Sequence, residues 1–69
     1  MHGGWIVVVD AEAGPLLFAA RTTAPYDAED IVRRQLAISE ERDVVAIRPI
    51  TSGELEKIGV GENEAKGPI

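Results

Sequence analysis

The strongest constraint in this sequence is that its predicted β-strands are apolar on both faces. The segments 5–9 and 44–47 read Trp-Ile-Val-Val-Val and Val-Val-Ala-Ile. They do not alternate apolar with polar residues, as a strand with one solvent-exposed face does. Only one long helix is predicted, and one helical layer covers one face of a small sheet. The second face therefore needs a short C-terminal helix, a second copy of the chain or another protein.

The order of predicted elements is β-β-α-β-α, which indicates an α+β fold. We expect a small three-stranded sheet with one main helix packed on one face and a short C-terminal helix. The third strand can pair in parallel with the second or antiparallel with the first, and the sequence allows both. Pro49 places that strand at a sheet edge or marks its end. The strands are predicted at 5–10, 16–23 and 44–48, and the helices at 27–39 and 52–58.

The main helix carries the clearest local signals. Asp27 is predicted to be its N-cap, because the residues that follow it are acidic and suit the first turn. Glu29 and Asp30 each precede an arginine by four residues, the favourable order for ion pairs. Tyr26 is predicted to pack on Ile31 at the helix entry. Helical spacing predicts an apolar face made of Ala28, Ile31, Val32, Leu36 and Ile38.

The C-terminal part of the chain contains the capping signal of a short helix, followed by a segment without helical or strand periodicity. Thr51 and Glu54 are three residues apart, as in a capping box, and Gly59 is placed to end the short helix. Residues 60–69 contain several Gly and Pro breaks and no periodicity. The sequence therefore predicts one domain over residues 1–59 and a flexible tail over 60–69.

The length of the chain favours association. With 69 residues, a chain buries only about 60% of the surface that its unfolded form exposes. Small domains gain stability from disulfides, metals or oligomerisation, but this chain has no Cys and one His, His2. Oligomerisation is the remaining source of additional stability, and a homodimer is the favoured form. No catalytic, cofactor-binding or metal-binding residue is predicted.

The charge of the chain argues against nucleic acid and membranes as partners. The formal net charge is −5, the isoelectric point is near 4.6, and no cluster exceeds two adjacent cations. Phosphate backbones and anionic lipids attract basic surfaces, so neither is expected to bind. No apolar run reaches the roughly 18–20 residues of a membrane span. A cytoplasmic protein is predicted, in its own cell or in a host.

The residues that could form an anion site, a phosphate-binding loop or a catalytic site all have ordinary structural explanations. Arg33 and Arg34 resemble an anion site, but Glu29 and Asp30 are placed to pair with them. Gly59-Val60-Gly61 lacks the following helix that a phosphate-binding loop needs. Ser39 and Ser52 have no basic partner at a suggestive spacing. Binding is therefore favoured over catalysis.

One face of the first strand is predicted to form the interface. Trp5 is the strongest candidate for an interface residue, because tryptophan is enriched among interface hot spots. The alternative is that Trp5 lies beneath the main helix and that the interface moves to the face of Ile6 and Val8. The predicted interface residues are Trp5, Val7, Val9, Leu17, Val45 and Ile47.

These features favour a small acidic, non-enzymatic protein-interaction or regulatory module that associates with itself. Its size and charge are typical of accessory or inhibitory proteins, including those encoded by bacteriophages. One alternative is an acidic inhibitor that mimics nucleic acid, which needs acids spread over a continuous face. Another alternative is an oligomer that binds a small molecule or catalyses a reaction at a shared site.

Overall fold

The computed structural model describes residues 2–69, with the backbone alone for His2. The side chain of the single histidine therefore lies outside the described part. The fold is α+β, as predicted, with an antiparallel sheet and two helices. Its elements are β1 (His2–Ala11), β2 (Gly14–Ala20), α1 (Pro25–Leu36), β3 (Val44–Thr51), α2 (Ser52–Ile58) and β4 (Ala65–Lys66).

Within residues 2–69, the sheet has four strands in the order β3-β1-β2-β4, whereas three were predicted. β1 and β2 form the predicted hairpin, and Gly14 takes a φ of 123° at its turn. β3 lies antiparallel to the other side of β1, which decides between the two pairings that the sequence allowed. β3 is an edge strand, so it accommodates Pro49, and it continues to Thr51.

Successive residues of β1 enter two separate cores, one on each face of the sheet. Val7 and Val9 pack with the α1 residues Ile31 and Val32. On the opposite face, a smaller cluster contains Ile6, Ala19, Ile50, Leu55 and Val60. α1 therefore covers one face, and α2 with the segment after it covers part of the other.

α1 begins earlier than predicted, and the assignment of Asp27 as its N-cap is wrong. The N-cap is Ala24, which makes no side-chain cap hydrogen bond, and Pro25 occupies the start of the helix. Proline suits this position because its φ is already helical and its missing N–H is not needed there. Asp27 instead lies in the first turn. Tyr26 is 73% exposed, so it is not the buried staple residue that was expected.

α1 also ends earlier, at Leu36 rather than at residue 39, and this changes which residues reach the core. Ala37 takes a left-handed conformation with a φ of 52°, which turns the chain out of the helix. Leu36 is 42% exposed, so its predicted core position is wrong. Ile38, beyond the turn, packs against the α1 core instead.

α2 forms at the predicted residues 52–58. The Thr51 side chain accepts a hydrogen bond from the backbone N–H of Glu54 at 3.2 Å, as the capping box predicted. Gly59 ends the helix with a φ of 88°. These signals are local, which is why the sequence was sufficient to find them.

The segment 60–69, predicted as a flexible tail, contains β4 and packs against the rest of the chain. Val60 and Ala65 are 3% and 4% exposed. Gln35 of α1 holds Ala65 with two hydrogen bonds: its Nε2 donates to the Ala65 carbonyl at 2.6 Å, and its Oε1 accepts from the Ala65 N–H at 2.9 Å. β4 pairs with Ala19 and Ala20 at the edge of β2.

Gly4 is needed where α2 packs on β1. A Cβ added to Gly4 would collide with the carbonyl oxygen of Ala20 and lie 3.0 Å from Cδ1 of Leu55. We expect Gly4→Ala to destabilise the fold by about 1–3 kcal/mol, because backbone atoms must move. Gly53→Ala is the matched control, since Gly53 is helical and nothing lies within 4 Å of its added Cβ.

Gly53→Ala is expected to stabilise the fold, by up to about 1 kcal/mol, because it restricts the unfolded chain. Urea unfolding of both variants at one protein concentration measures the two effects. Equal effects of the two substitutions would contradict the close packing of α2 on Gly4.

Candidate interaction surface

Three of the six predicted interface residues lie beneath α1. Val7 and Val9 are 0% and 4% exposed and belong to the α1 core. Trp5 is partly buried against the same core, and its indole N–H donates to the Thr23 carbonyl at 3.2 Å. A partner cannot reach Val7 and Val9 while α1 is in place. Ile6 and Val8 alternate with these residues along β1 and lie on the opposite face of the sheet.

On that face, α2 covers only one half of the sheet. Leu55 is completely buried over Ile6, Ala19 and Ile50. The helix has only seven residues, so it is about 10 Å long. The half of this face nearer the β1–β2 turn is left without a helical cover.

The uncovered half contains a row of aliphatic residues on three neighbouring strands. Val8 pairs with Leu17 on one side and with Val45 on the other. Because Val7, Val9 and Phe18 point into the α1 core, Val8 and Leu17 point to the opposite face. Val8 is half-buried, Leu17 is 37% exposed and Val45 is 49% exposed. We call Val8, Leu17 and Val45 the open patch.

Ile47 lies at an irregularity in β3 and is the most exposed of the predicted interface residues. The register jumps from Val7 opposite Ala46 to Ile6 opposite Arg48, so Ile47 is the extra residue of a β-bulge. It is 52% exposed. Leu17, Val45 and Ile47 thus remain accessible, in contrast to Val7 and Val9.

Charged residues flank the open patch on its two sides along the strands. Asp10 follows Val9 on β1 and is exposed, so it lies on the open face toward the β1–β2 turn. Arg48 pairs with Ile6 and Lys66 pairs with Ala19, which places both toward α2. The patch is therefore an apolar row with Asp10 on one side and with Arg48 and Lys66 on the other.

Both edges of the sheet are unsuited to the addition of another strand. On β3, the Ala46 N–H donates to Oε2 of Glu29 at 2.8 Å, and Pro49 has no N–H to offer. On β2, β4 pairs with Ala19 and Ala20, and the Ile69 N–H donates to the Leu17 carbonyl at 2.8 Å. Proteins protect sheet edges with such features. The open patch lacks this protection.

The predicted ion pairs of α1 form only in part. Arg34 pairs with Asp30, with a separation of 2.9 Å between Nε and Oδ2. Glu29 contacts β3 instead of Arg33, and Arg33 donates to the carbonyls of Ser39 and Arg42 at 3.1 and 3.0 Å. Arg33 therefore stabilises the loop after α1 and does not form an anion site with Arg34.

The described part of the chain also has depressions outside the open patch. One, about 690 Å³, is open and lies between α1 and the segment before β4. A second, about 330 Å³, is an apolar groove between Leu36 and the hairpin residues Val9, Leu16 and Phe18. A third, about 280 Å³, lies beside Gly3, Arg21 and Asn63. Among the described side chains, those of residues 3–69, no group of three or more potential metal ligands converges. No helix in this part of the chain is long and apolar enough to cross a bilayer.

No protein-family model, curated protein or solved structure matches the chain. The function of the open patch is therefore inferred from its own residues and exposure. The sequence prediction included Leu17 and Val45 but placed Val8 on the alternative face. The sequence prediction also did not place Arg48 beside the open patch. The bulge at Ile47 breaks the period of two by which strand residues are assigned to the two faces of a sheet.

Proposed function

We propose that this chain is a non-enzymatic protein-interaction module that associates with a second copy of itself through the open patch. The observation that carries the proposal is the partly exposed row Val45–Val8–Leu17, which crosses three strands opposite α1. Contiguous apolar groups on a sheet face gain free energy when a partner removes them from water.

Both edges of the sheet are protected, and this supports association through the face that carries the open patch. Another strand would need free N–H and C=O groups along an edge, and Glu29, Pro49 and β4 remove several of them. The open patch needs no backbone pairing, because its side chains provide the contact. Face-to-face packing of two sheets is a common way to bury such side chains.

The size of the protein also supports a second copy as the partner. A stable interface buries about 800 Å² on each partner, which is close to one fifth of the 4384 Å² total accessible surface. The open patch supplies the centre of such an interface, and Asp10, Arg48 and Lys66 supply a polar rim. An apolar centre with a polar rim is the usual composition of protein interfaces.

Self-association is expected at about 100 μM protein, with only a few-fold change in affinity between about 50 and 500 mM salt, since apolar contacts are weakly screened. Sedimentation velocity over a dilution series measures this. A strictly monomeric mass at the highest concentration would contradict the proposal. A steep loss of affinity with salt would indicate charge-driven binding, as expected of an acidic nucleic-acid mimic.

A further inference from the structure

A groove on the α1 side of the sheet lies beside the point where α1 ends. Ala37 turns the chain out of the helix, and Ile38 then packs against the α1 core. This turn leaves a gap of about 330 Å³ between the last turn of α1 and the β1–β2 hairpin. We call this gap the hairpin groove. Its apolar lining residues are Val9, Leu16, Phe18, Leu36 and Ile38.

The hairpin groove suits a few apolar side chains rather than an enclosed small molecule. Val9 and Phe18 are buried and form its floor, whereas Leu36 is 42% exposed and forms a wall. Its volume is at the lower end of the range for ligand pockets, about 300–1,000 Å³, and such pockets enclose most of their ligand. This groove is open, so the backbone of a bound segment would stay outside while its apolar side chains leave water.

Carboxylates surround the hairpin groove. Glu12 lines it with a side chain that is 93% exposed. The loop that leads from the groove back to β3 contributes Glu40, Glu41 and Asp43, all of them exposed. The Asp43 carbonyl accepts a hydrogen bond from the Asp10 N–H at 3.0 Å, so this loop lies against the β1–β2 hairpin.

The two arginines beside the groove are engaged with the chain itself. Arg42 donates to the Asp10 carbonyl at 3.2 Å, and its Nη2 lies 3.8 Å from Oε1 of Glu12. Arg33 donates to the carbonyls of Ser39 and Arg42. Four carboxylates against two guanidinium groups leave a net charge of −2 around the groove. This charge attracts a basic partner and repels an acidic one.

We propose that the hairpin groove binds a basic amphipathic helix of another protein. Aliphatic side chains of that helix enter the groove between Leu16 and Leu36, and its lysines or arginines lie over the surrounding carboxylates. An amphipathic helix presents apolar and charged groups in this arrangement. The inference goes beyond the proposed function, because the groove and the open patch lie on opposite faces of the sheet. A dimer formed through the open patch leaves both grooves accessible.

A synthetic peptide of leucine and lysine tests the inference. A peptide of about 18 residues, with leucines at positions i, i+3, i+4 and i+7, forms a helix with one apolar face. We expect a dissociation constant of about 100 μM or below at about 150 mM salt, measured by fluorescence anisotropy of the labelled peptide. A peptide with scrambled leucines and a peptide with glutamate in place of lysine should each bind at least about tenfold more weakly.

Matched pairs of variants locate the binding site. Leu36→Ala removes a wall of the groove and should weaken binding roughly fivefold. Leu17→Ala deletes the same atoms on the opposite face, where Leu17 is 37% exposed, and should stay within about twofold of the original. Glu12→Lys should weaken binding roughly fivefold. Glu56→Lys makes the same charge change at an exposed position of α2 and should stay within about twofold. Circular dichroism checks that each variant is folded.

The outcomes separate this inference from the proposed function. No binding of the leucine–lysine peptide at about 500 μM protein overturns the inference. Binding that responds to Glu12→Lys but not to Leu36→Ala also overturns it, because charge alone then holds the peptide. Binding that Leu17→Ala weakens and Leu36→Ala does not would place the helix on the open patch instead. A monomeric unmodified protein contradicts the proposed function alone, since one chain forms the whole groove.

Discussion

Replacing Val45 by Glu is expected to convert the self-associating protein into a monomer without unfolding it. Val45 is 49% exposed in the monomer, so a change in its polarity costs the fold little, about 0.5 kcal/mol. In the proposed dimer the residue is buried, and each interface contains it twice. Removing two carboxylates from water costs several kcal/mol, so the dissociation constant should rise by about 100-fold or more. Sedimentation equilibrium measures the change.

Leu36→Glu is the matched control for this result. Leu36 is 42% exposed, so it resembles Val45 in exposure, and both substitutions make the net charge more negative by one. It lies at the end of α1, on the opposite side of the sheet from the open patch. Leu36→Glu should leave dimerisation within a few-fold of the original. An equal effect of the two variants would mean that charge, and not the open patch, controls association.

The presence of apolar residues on both faces of the sheet could be predicted from the sequence, because it follows from the residue pattern of each strand. Strand segments with apolar residues at every position have no polar face to expose. A period of two also sorts Val7 and Val9 from Ile6 and Val8. It does not say which of these sets lies beneath α1, because that depends on where the helix crosses the sheet. The predicted interface therefore combined buried residues of β1 with accessible residues of β2 and β3.

The two ends of α1 show why local signals can compete. Asp27 and Pro25 both favour a helix start, and proline prevails because a helix that begins at residue 25 still keeps Asp27 in its first turn. Leu36 and Ile38 both fit a helical apolar face. The left-handed Ala37 separates them, and nothing in the residue type alanine predicts that conformation.

β4 could not be predicted, because its support comes from distant residues. Ala65 and Lys66 form a strand of only two residues, with no apolar run or alternation. The strand is held by Ala19 and Ala20 on β2 and by the Gln35 amide on α1. Contacts between residues 30 to 47 positions apart leave no periodicity in the sequence. The number of strands was therefore underestimated.

The largest loss of stability is expected from Leu55→Ala. Leu55 is 0% exposed and is the α2 residue that packs on Ile6, Ala19 and Ile50. Its replacement leaves a cavity between α2 and the sheet and should cost about 2–5 kcal/mol. A chain of 69 residues has a total stability of roughly 3–10 kcal/mol. The variant should therefore be partly unfolded near room temperature or have a much lower unfolding midpoint.

Leu36→Ala provides the control for Leu55→Ala, because it deletes the same atoms. The helical pattern gives both leucines apolar positions, but Leu36 is 42% exposed, so its loss should cost less than about 1 kcal/mol. Urea unfolding of both variants must use one protein concentration, since dimerisation adds to apparent stability. A cost of several kcal/mol for Leu36→Ala would contradict the early end of α1. A cost below about 1 kcal/mol for Leu55→Ala would contradict the role of α2 as the cover over Ile6, Ala19 and Ile50.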